Sequence, residues 1–279
     1  MTVVFEDVDG SSVALEYSGA GSPTLIFVHG LACDRRTWDL QVSALAAQFR
    51  CVSIDLPGHG ESDLPGVRGE EALARAVASM ASRHGGGHVV LIGHSLGCRV
   101  ILEAYRSSST DIDGLVLVDG GRSAGASAES VIRLLEEKID VLGVHKVLAA
   151  AFEGMFLPGT DRRLVTDIIA RSQRIDPAWA SQLLLSTARW QANTAIQMLA
   201  GVKVPLLVMQ STYLDEHFRQ CSLEPGMTTS FEQAVMRGGH DAQIRTITGA
   251  GHFVQIEAAK TVNRYIREFA MRLSPRGLP

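Results

Sequence analysis

No apolar run in this sequence approaches the roughly 18 residues that a membrane-spanning helix needs. Positive charge is not in excess: 26 Lys and Arg stand against 30 Asp and Glu, for a formal net charge of -4. Neither nucleic acid nor a membrane surface is therefore an expected partner. Only four cysteines are present, Cys33, Cys51, Cys98 and Cys221. None forms a C-x-x-C pair or a metal-ligand spacing, so neither a disulfide framework nor a structural metal is expected. Cys51 and Cys98 lie in or beside apolar segments and read as small buried hydrophobes. The first ten residues, MTVVFEDVDG, carry acids where a secretory leader has a basic start and an apolar run, which makes a cytoplasmic protein the expectation. There is no internal repeat, no low-complexity tract and no G-x-G-x-x-G opening a first strand–helix unit. No cofactor is expected.

What is present is ample apolar material. The chain has 279 residues, 46% of them hydrophobic, enough for a large buried core. The first 19 residues alternate apolar and polar around Asp9-Gly10 and predict an antiparallel hairpin. Short, almost wholly apolar runs follow at 24–28, 51–54, 88–92, 115–118, 206–209 and 242–247. Such runs suit strands buried on both faces of a parallel sheet. Helical patterns at 36–48, 70–83, 96–106 and 261–273 fall between or after them. Strand–helix alternation over this length predicts an α/β fold, a mostly parallel eight-stranded sheet with helices on both faces.

One stretch breaks the alternation. From about 126 to 201 there is no strand signal, only helical segments at 128–142, 144–156, 162–173, 178–189 and 190–199, punctuated by Pro158-Gly159 and Asp176-Pro177. This reads as a helical insertion between two core strands. The expected organisation is a core domain of residues 1–122 and 202–279 with a helical cap at 123–201.

Three segments carry chemistry. HVVLIGHSLGC at 88–98 places Gly93-x-Ser95-x-Gly97 at the end of an apolar strand, with a helix following. The glycines permit a sharp turn that lifts Ser95 above the sheet, and the helix N-terminus presents the amide of Leu96 to developing negative charge. FVHGL at 27–31 ends an earlier strand, and the amide of Leu31 is placed to be a second donor. GAGHF at 249–253 follows the last apolar run. His252 there is the candidate base, because a serine hydroxyl needs an adjacent base near neutral pH.

With DLPGHGES at 55–62, these pieces make the sequence resemble the α/β-hydrolase superfamily, in order and in spacing, over essentially the whole chain. The matching segments are VHGLACDRRTW, IDLPGHGESD, LIGHSLG and GAGHFVQIEAA. The resemblance implies a scaffold role for His59. It also implies an acid partner for His252, for which two positions compete. Most relatives carry it after the strand preceding the histidine loop, in a G-x-x-D pattern. Here Gln210 replaces that glycine, Tyr213 occupies the aspartate position, and Asp215 lies two residues beyond. A subset carries it before the cap, where this chain reads LVLVDG at 115–120. Asp119 is favoured and Asp215 is the alternative. The polar segment 211–226 departs from the family's short loop and reads either as a cover on one side of the site or as a surface insertion.

A serine nucleophile implies attack on a carbonyl and an acyl-enzyme, in a hydrolase of esters, lactones or related small, partly apolar compounds. Phe152, Met155, Phe156, Trp179, Leu183, Trp190 and Met198 are possible cap lining. The expected substrate contacts are His29, Phe152, Phe156, Trp179, Trp190 and Phe253. Arg35, Arg122 and His29 are candidates for meeting an anionic substrate. Two other classes remain open: a cofactor-free dioxygenase of the same fold that cleaves heteroaromatic rings with an acid at the Asp119 position, and a hydrolase-like receptor for a small ligand.

Overall fold

The computed structural model describes residues 2–66, 69–108, 112–121, 128–215, 219–238 and 241–273. The chain opens with the predicted hairpin, β1 (Val3–Val8) and β2 (Ser11–Ser18), turned at Asp9-Gly10 with both residues at positive φ. Then follow β3 (Thr24–Val28), a 3₁₀ turn Arg35–Trp38 leading into α1 (Asp39–Leu45), β4 (Arg50–Ile54), α2 (Glu71–His84), β5 (Val89–His94), α3 (Leu96–Ser107) and β6 (Ile112–Val118). The helices α4 (Ala128–Leu142), α5 (Val144–Glu153), α6 (Arg162–Ser172), α7 (Pro177–Asn193) and α8 (Ala195–Ala200) intervene before β7 (Leu206–Gln210). The chain continues through a small hairpin, β8 (Thr212–Leu214) and β9 (Gln220–Ser222), then α9 (Ser230–Arg237), β10 (Ala242–Thr246), α10 (Val254–Glu257) and α11 (Ala259–Leu273).

Eight strands form one sheet in the order β1-β2-β4-β3-β5-β6-β7-β10. β2 pairs antiparallel with β1 and β4, and every later pairing is parallel. The expected α/β architecture is the one found. Along β5 the apolar side chains alternate between two cores: Val89 and Leu91 pack with α2 and α3, while Val90 and Ile92 pack with α1 and α11. Burial on both faces is why these strands read as unbroken apolar runs. No helix among the described residues is long and apolar enough to cross a membrane.

Three features escaped the sequence reading, the short helix α10 among them. The β8–β9 hairpin occupies the polar segment after β7, and α9 follows it. The helix had a signal: Thr229 and Glu232 form a reciprocal capping box, a T-x-x-E pattern that marks a helix start. The helix expected at 36–48 is shorter, because its first turn is 3₁₀ and capped by the Asp34 side chain.

Candidate active site

In a parallel sheet the strands end on one edge, and residues just beyond those ends converge there. Ser95 follows β5, Asp119 follows β6, His29 follows β3 and Ser211 follows β7, while His252 lies in the loop after β10. β5 is flanked by β3 and β6, with Val28 opposite Gly93 and His94 opposite Val118.

Ser95 is half-buried and held at φ 54°, ψ -116°. Strain of this kind costs on the order of 1–3 kcal/mol and persists only where the surroundings impose it. Here they do. A Cβ on Gly93 would lie 2.4 Å from the Gly97 carbonyl carbon, and one on Gly97 would lie 2.3 Å from the Val28 carbonyl oxygen. β3, the turn and α3 therefore pass at backbone contact distance. Gly30 abuts the same turn, where an added Cβ would sit 3.2 Å from Ser95 Cβ. That places the Gly30-Leu31 peptide beside the serine. Neither the Leu31 nor the Leu96 backbone N–H bonds another described backbone group.

The His252 imidazole packs against His94, the residue before Ser95, with ring centroids 4.7 Å apart. His94 Nε2–H donates to the His252 carbonyl at 2.9 Å. His252 Nδ1 lies 2.6 Å from Asp119 Oδ2, and both side chains are almost wholly buried. A carboxylate only accepts, so the proton sits on Nδ1 and the lone pair is on Nε2.

Asp119 accepts four hydrogen bonds. Oδ1 takes the backbone N–H groups of Ser211 and Thr212 at 2.8 and 2.9 Å, and Oδ2 takes the Thr212 hydroxyl as well as His252. Gln220 on β9 in turn donates to Thr212 Oγ1. Burial pushes the Asp119 carboxyl upward, but the bonds from His252, Thr212 and Ser211, and the attraction of the imidazole whenever it is protonated, outweigh it and hold it below the usual carboxylate range. The polar segment after β7 is thus the part of the chain that grips this aspartate. Asp215 has another partner: Arg219 donates to it from its backbone N and Nε at 2.8 Å each, closing the β8–β9 turn.

The histidine loop is also tied to the helical insertion. The His252 amide donates to the Met155 carbonyl at 2.8 Å. Glu257 Oε2 accepts from Gly251 N at 2.7 Å, while its Oε1 accepts from Leu157 N at 2.9 Å and Thr160 Oγ1 at 2.5 Å. Thr212, Gln220 and Glu257 were not singled out in the sequence. Their types are ordinary, and only the fold brings them here.

The residues expected to touch substrate divide into two sets. Phe253 stacks on Phe156, with centroids 4.5 Å apart and planes 3° apart, lies 5.6 Å from Phe152, and is edge-on to His252 at 5.9 Å. These three rings make an apolar wall beside the imidazole. The other set is taken up by packing and backbone contacts. His29 is fully buried and commits both ring nitrogens to backbone, Nε2 accepting from Leu56 N at 3.0 Å and Nδ1 donating to Gly30 O at 2.8 Å. Trp179 is fully buried with its indole N–H on the Pro57 carbonyl at 3.1 Å, pinning α7 to the loop after β4. Trp190 is buried under the Arg99 guanidinium. Arg35 is buried among Glu16, Asp55 and Glu61. Arg122 lies outside the described residues.

Comparison with known proteins identifies the family and the fold. The model of the alpha/beta hydrolase family matches residues 25–264. A 2-(acetamidomethylene)succinate hydrolase from Mesorhizobium japonicum is 30% identical over 273 residues, covering 94% of this chain and 93% of the relative. The dihydrolipoyllysine-residue acetyltransferase component of an acetoin cleaving system from Pseudomonas putida is 26% identical over 267 residues; the match covers 91% of this chain but only 65% of that longer protein. Among solved structures, a thermophilic esterase from Thermogutta terrifontis superposes with a TM-score of 0.78 at 23% identity, covering 99% of this chain and 100% of the other. An enol-lactonase from Burkholderia xenovorans superposes at 0.74 with 19% identity, covering 95% and 99% of the two chains. With a strained serine turn, a buried Asp–His pair and an eight-stranded sheet in the order described, the chain belongs to the alpha/beta hydrolase family.

Proposed function

We propose that this protein is a serine hydrolase of small carbonyl compounds, with Ser95 as nucleophile, His252 as base and Asp119 as the acid that orients it. The observation that carries the reading is the 2.6 Å contact between His252 Nδ1 and Asp119 Oδ2. It holds the proton on Nδ1 and so makes Nε2 the proton acceptor, on a ring packed beside the serine turn. His252 Nε2 takes the Ser95 proton as Oγ bonds to the carbonyl carbon. The resulting oxyanion is received by the amides of Leu31 and Leu96, the latter at the N-terminus of α3. The tetrahedral species collapses, the leaving group departs with the proton from His252, and an acyl-Ser95 ester remains. Water then gives a proton to His252 and attacks the acyl carbon, and Ser95 regains its proton as the acid is released.

The helical insertion acts as a cap. Its Phe152 and Phe156, with Phe253, form the apolar side of the substrate space, which favours esters, lactones or amides of modest size. The names of an esterase and a lactonase among structures of this fold are compatible with that class. Purified protein should hydrolyse short 4-nitrophenyl esters, and Ser95→Ala should abolish this turnover while leaving the melting temperature near that of the parent. Equal activity in the variant rejects the scheme. Asp119, placed after β6, also keeps a second reading in play, a cofactor-free dioxygenase. Oxygen consumption with hydroxyquinolone substrates, and no ester hydrolysis, would select it.

A further inference from the structure

A cavity of about 180 Å³ lies where the insertion meets the core, and the steps above make no use of it. Its walls are the chain from Ala32 to Arg36, the turn at 59–61, and Arg171, Arg174 and Ile175 at and just beyond the end of α6. Charge is its distinguishing feature. Arg35, Arg36, Arg171 and Arg174 line it, against two carboxylates, Asp34 and Glu61.

Both carboxylates are already matched. Asp34 binds Arg36 at 2.7 Å and also the Arg171 guanidinium, and Glu61 binds Arg35 at 2.6 Å. Arg35 further meets Asp55 and, at 3.5 Å, Glu16; Arg171 Nε lies 2.9 Å from Asp167. Arg174 is exposed, and its guanidinium has no hydrogen-bond or ion-pair partner among the described residues. His59, the remaining titratable wall, is held neutral by burial, with its pKa pushed down to about 3. With Asp55, Glu16 and Asp167 behind the wall, five carboxylates stand against four guanidinium groups, so the region has no surplus of positive charge; the feature that stands out is Arg174, whose guanidinium is left open. Arg171 beside it is only 8% exposed and is anchored across the insertion–core boundary by Asp34.

An open guanidinium next to a fixed one favours a planar monoanion that can accept from both, which is a carboxylate. The volume holds on the order of six waters at about 30 Å³ each, room for a carboxylate and a few carbons. Location links it to the reaction. Ala32, on the cavity wall, is two residues past the Gly30 that abuts Ser95, so the two Cα atoms are within about 8 Å at 3.8 Å per step.

We infer that this cavity seats a carboxylate of the substrate, and that the enzyme therefore acts on carbonyl compounds bearing a free carboxylate a short carbon chain away from the bond that is cleaved. The inference rests on the Ser95 reading for its reaction but not for its binding site. The test compares mono(4-nitrophenyl) succinate with 4-nitrophenyl butyrate, which has a similar length and no charge. In Arg174→Ala the ratio of kcat/KM for the succinate ester over the butyrate ester should fall roughly tenfold or more, through KM, as expected for a lost charged contact. Arg174→Lys should restore part of it. Arg162→Ala, which removes an exposed charge from the same insertion, should leave the ratio as it was.

Calorimetry of succinate with Ser95→Ala, and with Ser95→Ala carrying Arg174→Ala, reads binding without turnover. Succinate should bind the first and bind the second at least tenfold more weakly. Arg174-dependent binding with no ester hydrolysis by the parent protein would refute the reaction and leave the site standing. Hydrolysis with an unchanged ratio and Arg174-independent binding would overturn the site. Arg174-dependent succinate binding that inhibits butyrate ester hydrolysis non-competitively would assign the cavity to a separate carboxylate ligand and overturn the substrate assignment.

Discussion

Asp119→Asn tests the reading at its centre. The native carboxylate accepts at all four of its hydrogen bonds. An amide has one accepting oxygen and one donating nitrogen. The backbone N–H groups of Ser211 and Thr212 cannot turn into acceptors, so the amide oxygen must stay on the Oδ1 side. The amide nitrogen then faces the Thr212 hydroxyl and His252. The hydroxyl can reverse and accept, but His252 Nδ1 can accept only if its proton moves to Nε2, which removes the lone pair that must take the Ser95 proton. Folding should survive, because each position retains a hydrogen-bond partner. Replacing a triad carboxylate by its amide lowers kcat by about four orders of magnitude through this wrong tautomer, close to 5.4 kcal/mol at 1.36 kcal/mol per tenfold. The assay is kcat on 4-nitrophenyl acetate, with the His252 tautomer read from imidazole nitrogen chemical shifts. Asp215→Asn is the comparison, since Asp215 meets Arg219 at the hairpin turn, and it should retain activity near that of the parent. Asp119→Asn with more than about a tenth of the parent kcat, or Asp215→Asn without activity, would refute the assignment.

Other consequences follow from the network around the site. Glu257→Gln must turn an amide nitrogen toward either Gly251 N–H or Leu157 N–H, so one charge-assisted bond is lost; this should destabilise by about 1.5–3 kcal/mol and lower kcat as the histidine loop loosens from the insertion, and an unchanged urea midpoint would show that the staple is slack. Acid should destabilise the fold well above the carboxylate range. Burial holds His29 down to about 4 and His59 to about 3, so between roughly pH 6.5 and 4 the unfolded chain binds protons that the native state does not, and stability falls by about 1.4 kcal/mol per pH unit for each histidine. Asp119, whose native pKa is also depressed, adds a loss of the same sign only below about pH 4. Urea midpoints at pH 7, 6 and 5 read this directly, and a flat profile would contradict it.

Much of the molecule was legible before any fold was known, because the relevant physics is local. Apolar runs such as VVLIG declare two-sided burial wherever they are placed, and G-x-S-x-G after such a run requires small neighbours for a turn at positive φ. The cluster around His252 announced itself through its glycines and its place after the last strand. The substrate contacts were harder to read. Trp179 and Trp190 have the same sequence signature as Phe152 and Phe156, a large apolar side chain on an insertion helix. Whether such a ring packs the insertion onto the core or faces the imidazole depends on where each helix lands. His29 looked like a site residue from its neighbours, yet Leu56 N–H and Gly30 C=O use both its nitrogens.

The sequence alone therefore determined the α/β class, the succession of strands and helices along the chain, and the candidates Ser95 and His252, since each depends on a pattern read within a dozen residues. Tertiary structure decided which aspartate meets the imidazole, because Asp119 and His252 are 133 positions apart and are joined only by neighbouring strand ends. It also gave the polar segment after β7 its work, bringing Ser211, Thr212 and Gln220 around that carboxylate. And it assembled four arginines from two distant stretches into one cavity, because charge separated along a chain becomes a binding site only when packing brings it together.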